Sequence, residues 1–201
     1  MTLDPSRTAV LALHWQVNVI EPDGFFGGLL AAPVARSGVV ARAAAFHDAV
    51  RRSGVQVCFT RFTVPEDEGG LVRNTAFMTA VAGAADSFRP DAPGAALIEA
   101  MRVDEQDWVV DNQRLSGLAA SSLPERLRER GVDTLLVTGV ATNLTVEQTA
   151  RHGTDLGFTV HVVTDCVTAA DDTAHQASLA NLELATAGGL AAADALRRLG
   201  A

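Results

Sequence analysis

The sequence predicts an α/β domain in which a parallel sheet is covered by helices on both faces. Three observations predict it. Short apolar runs alternate with longer segments of helical periodicity. The short runs are apolar at successive positions, so both faces of each strand are buried, as in a parallel sheet between two helix layers. Apolar residues make up 48% of the 201 and are spread along the whole chain. No linker, repeat or low-complexity tract divides it, so one domain over residues 1–201 is expected, long enough to bury a sizeable core.

The elements follow in order. Residues 9–13 (AVLAL) form the first strand, and the glycine-rich loop 21–30 (EPDGFFGGLL) follows it. Residues 35–52 have helical spacing and stop at Ser53 and Gly54. Residues 55–60 form the second strand, followed by the polar loop 63–70 (TVPEDEGG), and 108–110 form a short third. The helix 122–131 opens as S-L-P-E, a capping box with proline in its first turn, and closes on glycine. Residues 134–138 (TLLVT) are the fourth strand, 145–157 a helix and 158–163 (FTVHVV) the fifth strand. A long helix over 171–187 opens on Asp171 and Asp172, and 189–193 is a candidate sixth strand. Loops 21–30 and 63–70 fall at the carboxyl edge of the sheet, where doubly wound folds bind ligands.

Composition narrows the chemistry. The net charge is −8, and no basic run or stripe occurs, which argues against nucleic acid as the main partner. No stretch reaches the ~18 to 20 apolar residues a membrane span needs. The start, MTLDPSRTAV, lacks the pattern of a signal peptide, so a cytoplasmic location is expected. Cys58 and Cys166 are too few for a disulfide framework. Cys58, inside VQVCFT, reads as a small buried hydrophobe, and Cys166 as structural. No CxxC or HxxxH spacing points to a metal, and no cofactor is expected. All 16 cationic residues are arginine. Without lysine, neither a Schiff base nor a lysine general base is open to this chain.

The most informative stretch is 134–151, TLLVTGVATNLTVEQTAR. A buried strand runs into Gly139, then a tight turn, then a helix. Such a turn points backbone N–H groups into a crevice, where they can hold a carboxylate, a phosphate or a developing oxyanion. It contains neither GxGxxG nor GxxxxGK, so it is not a phosphate-binding fingerprint.

TGVATN, followed by a helix carrying VEQTAR, resembles the nucleophile turn of the isochorismatase-like hydrolases, also called the cysteine hydrolase family. TAVLALHWQVNVI, VCFTRF, WVVDNQRLSG, LRERGVDTLLVTGVATN and VHVVTDCVTAADDTAHQASLANL resemble the family's successive segments in the same order. The resemblance implies a three-layer α/β/α fold on a six-stranded parallel sheet of order 3-2-1-4-5-6. It also implies a non-proline cis peptide between Val140 and Ala141. Members hydrolyse amides such as nicotinamide, or the enol ether of isochorismate, and many form homodimers or homotetramers.

The family's catalytic residues do not carry over. Its aspartate falls on His14, its lysine on Asn112 and its cysteine on Thr145. A shift of one places Asp111 at the lysine position. The enol-ether hydrolases already lack the cysteine but keep the other two.

Each candidate has two readings. His14 is a general acid or base near neutral pH, or a local hydrogen-bonding filler. Thr145 is a nucleophile activated by His14, or the N-cap of a T-V-E-Q capping box with Gln148 reaching back. In the catalytic case the oxyanion meets the N–H groups of Ala141 and Thr145, and the turn at Val140 and Ala141 lines the pocket. Asn112 orients a substrate amide or carbonyl, or is a polar loop residue. Arg61 and Arg114 hold a carboxylate by bidentate bonds, or lie on the surface. Trp15 and Phe25 line the pocket or belong to the core. Two functions are therefore carried forward: a hydrolase with a rebuilt site acting on a small polar molecule, of amide or enol-ether type, and a non-catalytic homologue kept for ligand binding or assembly.

Overall fold

The structure is a computed structural model and describes residues 2–201. Six parallel strands form one sheet: β1 (Thr8–Leu13), β2 (Gln56–Phe62), β3 (Trp108–Asn112), β4 (Thr134–Val140), β5 (Thr159–Thr168) and β6 (Gly189–Leu190). Their spatial order is β3-β2-β1-β4-β5-β6, as expected. The register sets Leu13 opposite both Thr60 and Gly139, and Phe62 opposite Asn112. The ends of β1, β2, β3 and β4 therefore lie side by side at one edge.

Alternating side chains feed two cores. Val10, Ala12, Val57 and Phe59 pack in one cluster with α1 (Val17–Ile20), α2 (Gly27–Ser37), α3 (Val39–Arg52) and α8 (Ala192–Leu199). Ala9, Leu11, Leu13 and Val137 pack against α5 (Leu123–Glu129), α6 (Glu147–Asp155) and α7 (Asp172–Ala185). Burying each such Val or Leu contributes about 1.5–3 kcal/mol. A third cluster, with Phe62, Val64, Met78 and Phe88, lies beyond the end of β2 and includes α4 (Ala76–Gly83).

Several boundaries differ from the sequence expectation. The helix expected over 35–52 is two helices that meet at 67°. Gly38 divides them in the left-handed region at φ 65°, where a side chain costs about 1–2 kcal/mol. The second half of the glycine-rich loop 21–30 is already helical, from Gly27 onward. Ser122 makes no side-chain cap to α5, whose start is set by Pro124 instead. Asp171 does cap α7, accepting from the Ala174 N–H at 2.8 Å. β5 runs on through the half-buried Thr164 and Asp165, and Asp165 accepts from the Ala192 N–H at 2.8 Å.

No single helix among the described residues is long and apolar enough to cross a membrane. Among the same residues, no cluster of three or more His, Cys, Asp or Glu side chains could hold a metal ion.

Candidate functional site

His14 follows the last residue of β1, in line with the end of the sheet. Its backbone lies at φ 54°, in the left-handed region that side chains avoid, and its N–H donates to the Thr60 carbonyl at 3.1 Å. Strain of this kind costs about 1–3 kcal/mol and is held only where the surroundings over-determine it. The imidazole is buried, with its edge to Phe62. Burial pushes it down to about 4, and the neighbouring Asn112 amide opposes that only in part. His14 is therefore neutral at pH 7. Its Nε2 has no hydrogen-bond partner among the described residues.

Asn112 ends β3 and is fully buried. Its Nδ2 donates to the carbonyls of Ser116 (2.8 Å) and Arg114 (3.1 Å). Its Oδ1, like His14 Nε2, is buried and unpartnered. The Asn112 amide is close enough to act on the His14 imidazole, yet no hydrogen bond of normal geometry joins them. A buried unpaired polar atom costs about 1–3 kcal/mol, so two at one strand edge mark an unusual place.

The turn after β4 holds a cis peptide between Val140 and Ala141. One π-helical turn, Thr142–Val146, then leads into α6. This corrects the capping-box reading of Thr145. Thr145 lies inside that turn, α6 has no side-chain cap, and Gln148 is exposed. The Thr145 hydroxyl instead donates to the Leu115 carbonyl at 2.7 Å, which ties the turn to the loop after β3. From the other side, the Thr142 hydroxyl bonds His175 Nδ1 at 2.8 Å, and Ser178 donates to the Thr142 carbonyl at 3.2 Å and to Glu147.

Over this edge lies a pocket of about 100 Å³. His14 and Thr145 line it with Val140 and Ala141, as expected from the sequence. Val19 and Leu30 from the two helices after β1, the stacked pair Phe26 and Phe77, and Leu115 and Leu144 form an apolar wall, on which Asn143 is a further polar side chain. Phe26, Leu29 and Leu30 fall in the segment 21–30 expected at the ligand-binding edge, whereas Val19, Phe77, Leu115 and Leu144 carry no signal in the sequence.

The remaining candidates stand elsewhere. Trp15 is fully buried in the core beside His47, not on the pocket wall. Phe25 is partly exposed and packs edge-on against Phe26 and Phe88, one layer out. Arg61 is clamped by both oxygens of Asp111, at 2.7 and 2.8 Å, which commits Asp111 as well. Arg114 donates to the Gln113 carbonyl and is not on the wall. Cys58 and Cys166 are buried away from the pocket; burial pushes the Cys58 thiol far up and that of Cys166 to about 12.

Comparison with known proteins agrees with this architecture. The structure of a cysteine hydrolase from Pseudomonas syringae pv. phaseolicola superposes with a TM-score of 0.87 at 25% identity, covering 100% of this chain and 95% of that one. The uncharacterized isochorismatase family protein YwoC of Bacillus subtilis is 35% identical over 77 residues, or 38% of this chain and 41% of that protein. The ureidoacrylate amidohydrolase RutB of Methylobacterium radiotolerans is 39% identical over 89 residues, 44% of this chain and 34% of RutB. The chain thus matches well under two thirds of the length of these curated relatives. The isochorismatase domain model, in contrast, matches residues 8–194, from the start of β1 into α8. With the sheet order and the turn after β4 in place, that match means the chain belongs to the isochorismatase family.

Proposed function

We propose that this chain is a small-molecule hydrolase of amide type that works by direct attack of water, without a covalent enzyme nucleophile. The observation that carries this reading is His14: buried, neutral, held at a strained φ, and lining the pocket beside Ala141 and Thr145. The amidohydrolase relative makes amide chemistry the first to test.

In this mechanism the His14 imidazole takes a proton from water as the water oxygen attacks the substrate carbonyl carbon. The negative charge moves to the carbonyl oxygen, which the N–H groups of Ala141 and Thr145 receive. His14 then returns the proton to the leaving nitrogen as the C–N bond breaks, giving an acid and an amine. Asn112 is a positioning residue, acting on the imidazole rather than on substrate. A base near 4 is poorly matched to pH 7, so the expected turnover is slow. Thr145 has a structural duty in this reading, because its hydroxyl proton is already engaged by Leu115.

The second reading, a ligand-binding homologue without catalysis, is favoured by that same Thr145–Leu115 bond together with the apolar wall. Assays of wild type, His14→Ala and Thr145→Val on amides and enol ethers separate the two. The hydrolase reading expects wild type and Thr145→Val to exceed the no-enzyme blank while His14→Ala does not. If all three match the blank, the non-catalytic reading takes its place. We also infer a homo-oligomer, on the family resemblance. Sedimentation would read it out.

A further inference from the structure

We propose that the pocket selects an uncharged ligand with a short aliphatic body, such as a branched aliphatic amide of about six or seven heavy atoms, and rejects carboxylate-bearing analogues. This deepens the reading of the same pocket, on which it rests. Among the described residues, no Asp, Glu or Arg lines the pocket. Of the two arginines best placed by sequence to hold a carboxylate, Arg61 is paired with Asp111, and neither Arg61 nor Arg114 lines the pocket.

The wall points the same way. Phe26 and Phe77, both on the wall, stack in parallel at 5.5 Å and 7° and present hydrocarbon to the pocket. Leu30, Leu115 and Val19 continue it inward. An anion placed here would lose its hydration and gain no partner charge, and the effective penalty for that is several kcal/mol. Size adds a limit. The pocket's 100 Å³ is of the same order as the roughly 150 Å³ apolar cavity that takes six-atom benzene, which holds the ligand near that size. One polar head reaching His14, on an apolar body of a few carbons, matches both wall and volume.

The test uses an isosteric pair, isovaleramide and malonamate, in which an isopropyl group and a carboxylate exchange places. Binding to the full chain is measured by ligand-observed NMR, and product formation is followed separately. We expect isovaleramide to bind at least about 100-fold more tightly than malonamate. Leu29→Arg, at an exposed position on the pocket rim, should narrow or reverse that preference without disturbing the fold. Equal or tighter binding of malonamate by wild type overturns the proposal, and so does failure of isovaleramide to bind at millimolar concentration. Isovaleramide that binds without being cleaved supports the specificity and counts against the hydrolase reading alone.

Discussion

Gly139 faces Leu13 across the β1–β4 pairing so closely that a Cβ at 139 would lie 2.4 Å from the Leu13 carbonyl oxygen and 2.8 Å from the Leu13 Cβ. Gly139 also sits at φ 139°. Both constraints act one residue before the strained His14. Gly139→Ala is expected to destabilise the fold by about 2–5 kcal/mol, from overpacking plus backbone cost. Gly131 has positive φ but open space around its Cβ position, so Gly131→Ala should cost only about 1 kcal/mol. Urea unfolding of both variants checks the contrast; equal losses would show that the Leu13 contact is unimportant.

Acid should unfold this protein early. Burial lowers His14 to about 4 and His47, with the nearby Arg51 adding to the effect, to about 3, against 6.5 for a free histidine. Between these values the unfolded chain binds protons that the folded chain refuses. The neutral imidazoles therefore cost nothing above pH 6.5, and stability falls as the pH drops below it. The slope is about 1.4 kcal/mol per pH unit for each histidine. Between pH 6.5 and 5, above the carboxylate range, His47→Leu should flatten the slope of denaturant-derived stability against pH by roughly one proton's share. An unchanged slope would mean that His47 does not titrate as its burial implies.

Much of the fold could be read from the sequence because its strands are apolar on both faces, which left little choice of sheet type. The end of β4 was legible for the same reason: Gly139 and the turn follow a buried strand directly. The pocket wall was not. Phe26 and Phe77 are 51 positions apart, and only tertiary packing stacks them. Gly38 sits within a continuous apolar periodicity, so its left-handed backbone left no trace in the pattern. T-V-E-Q satisfies a local capping rule, so the cap is one of the two readings the sequence offers for Thr145, while the hydroxyl is claimed by the distant Leu115 carbonyl. Arg61 lies at the strand end as expected, but its register partner on β3 is Asp111, which takes its charge.

The brace between α7 and the turn gives a third prediction. Ser178 is buried and bonds both the Thr142 carbonyl and the Glu147 carboxylate. Ser178→Ala removes both bonds, one of them to a carboxylate, while the Thr142 carbonyl keeps the Glu147 N–H; the cost is about 1–3 kcal/mol. If the brace also holds Ala141 and Thr145 in place, the affinity for isovaleramide falls as well. Thermal unfolding and NMR titration measure the two effects separately, and loss of stability with unchanged affinity confines Ser178 to a packing role.

Far from the pocket, α3 is tied to the loop before β3 by a buried ion pair. Arg51 Nη2 lies 2.7 Å from Asp107 Oδ2, with the side chains 8% and 1% exposed. Arg51 also donates through Nε to both Asp107 oxygens and through Nη1 to Asp48 at 2.8 Å. Asp107→Asn keeps the shape but removes the charge, leaving a buried guanidinium with only the half-buried Asp48. Breaking one side of such a pair costs about 3–5 kcal/mol, and Asp48 should hold the loss near the lower figure. The double variant Arg51→Met, Asp107→Asn, with no stranded charge, should recover part of that loss. Chemical denaturation of the two single variants and the double closes the cycle. Purely additive losses would mean that the pair's geometry, close as it is, carries no coupling.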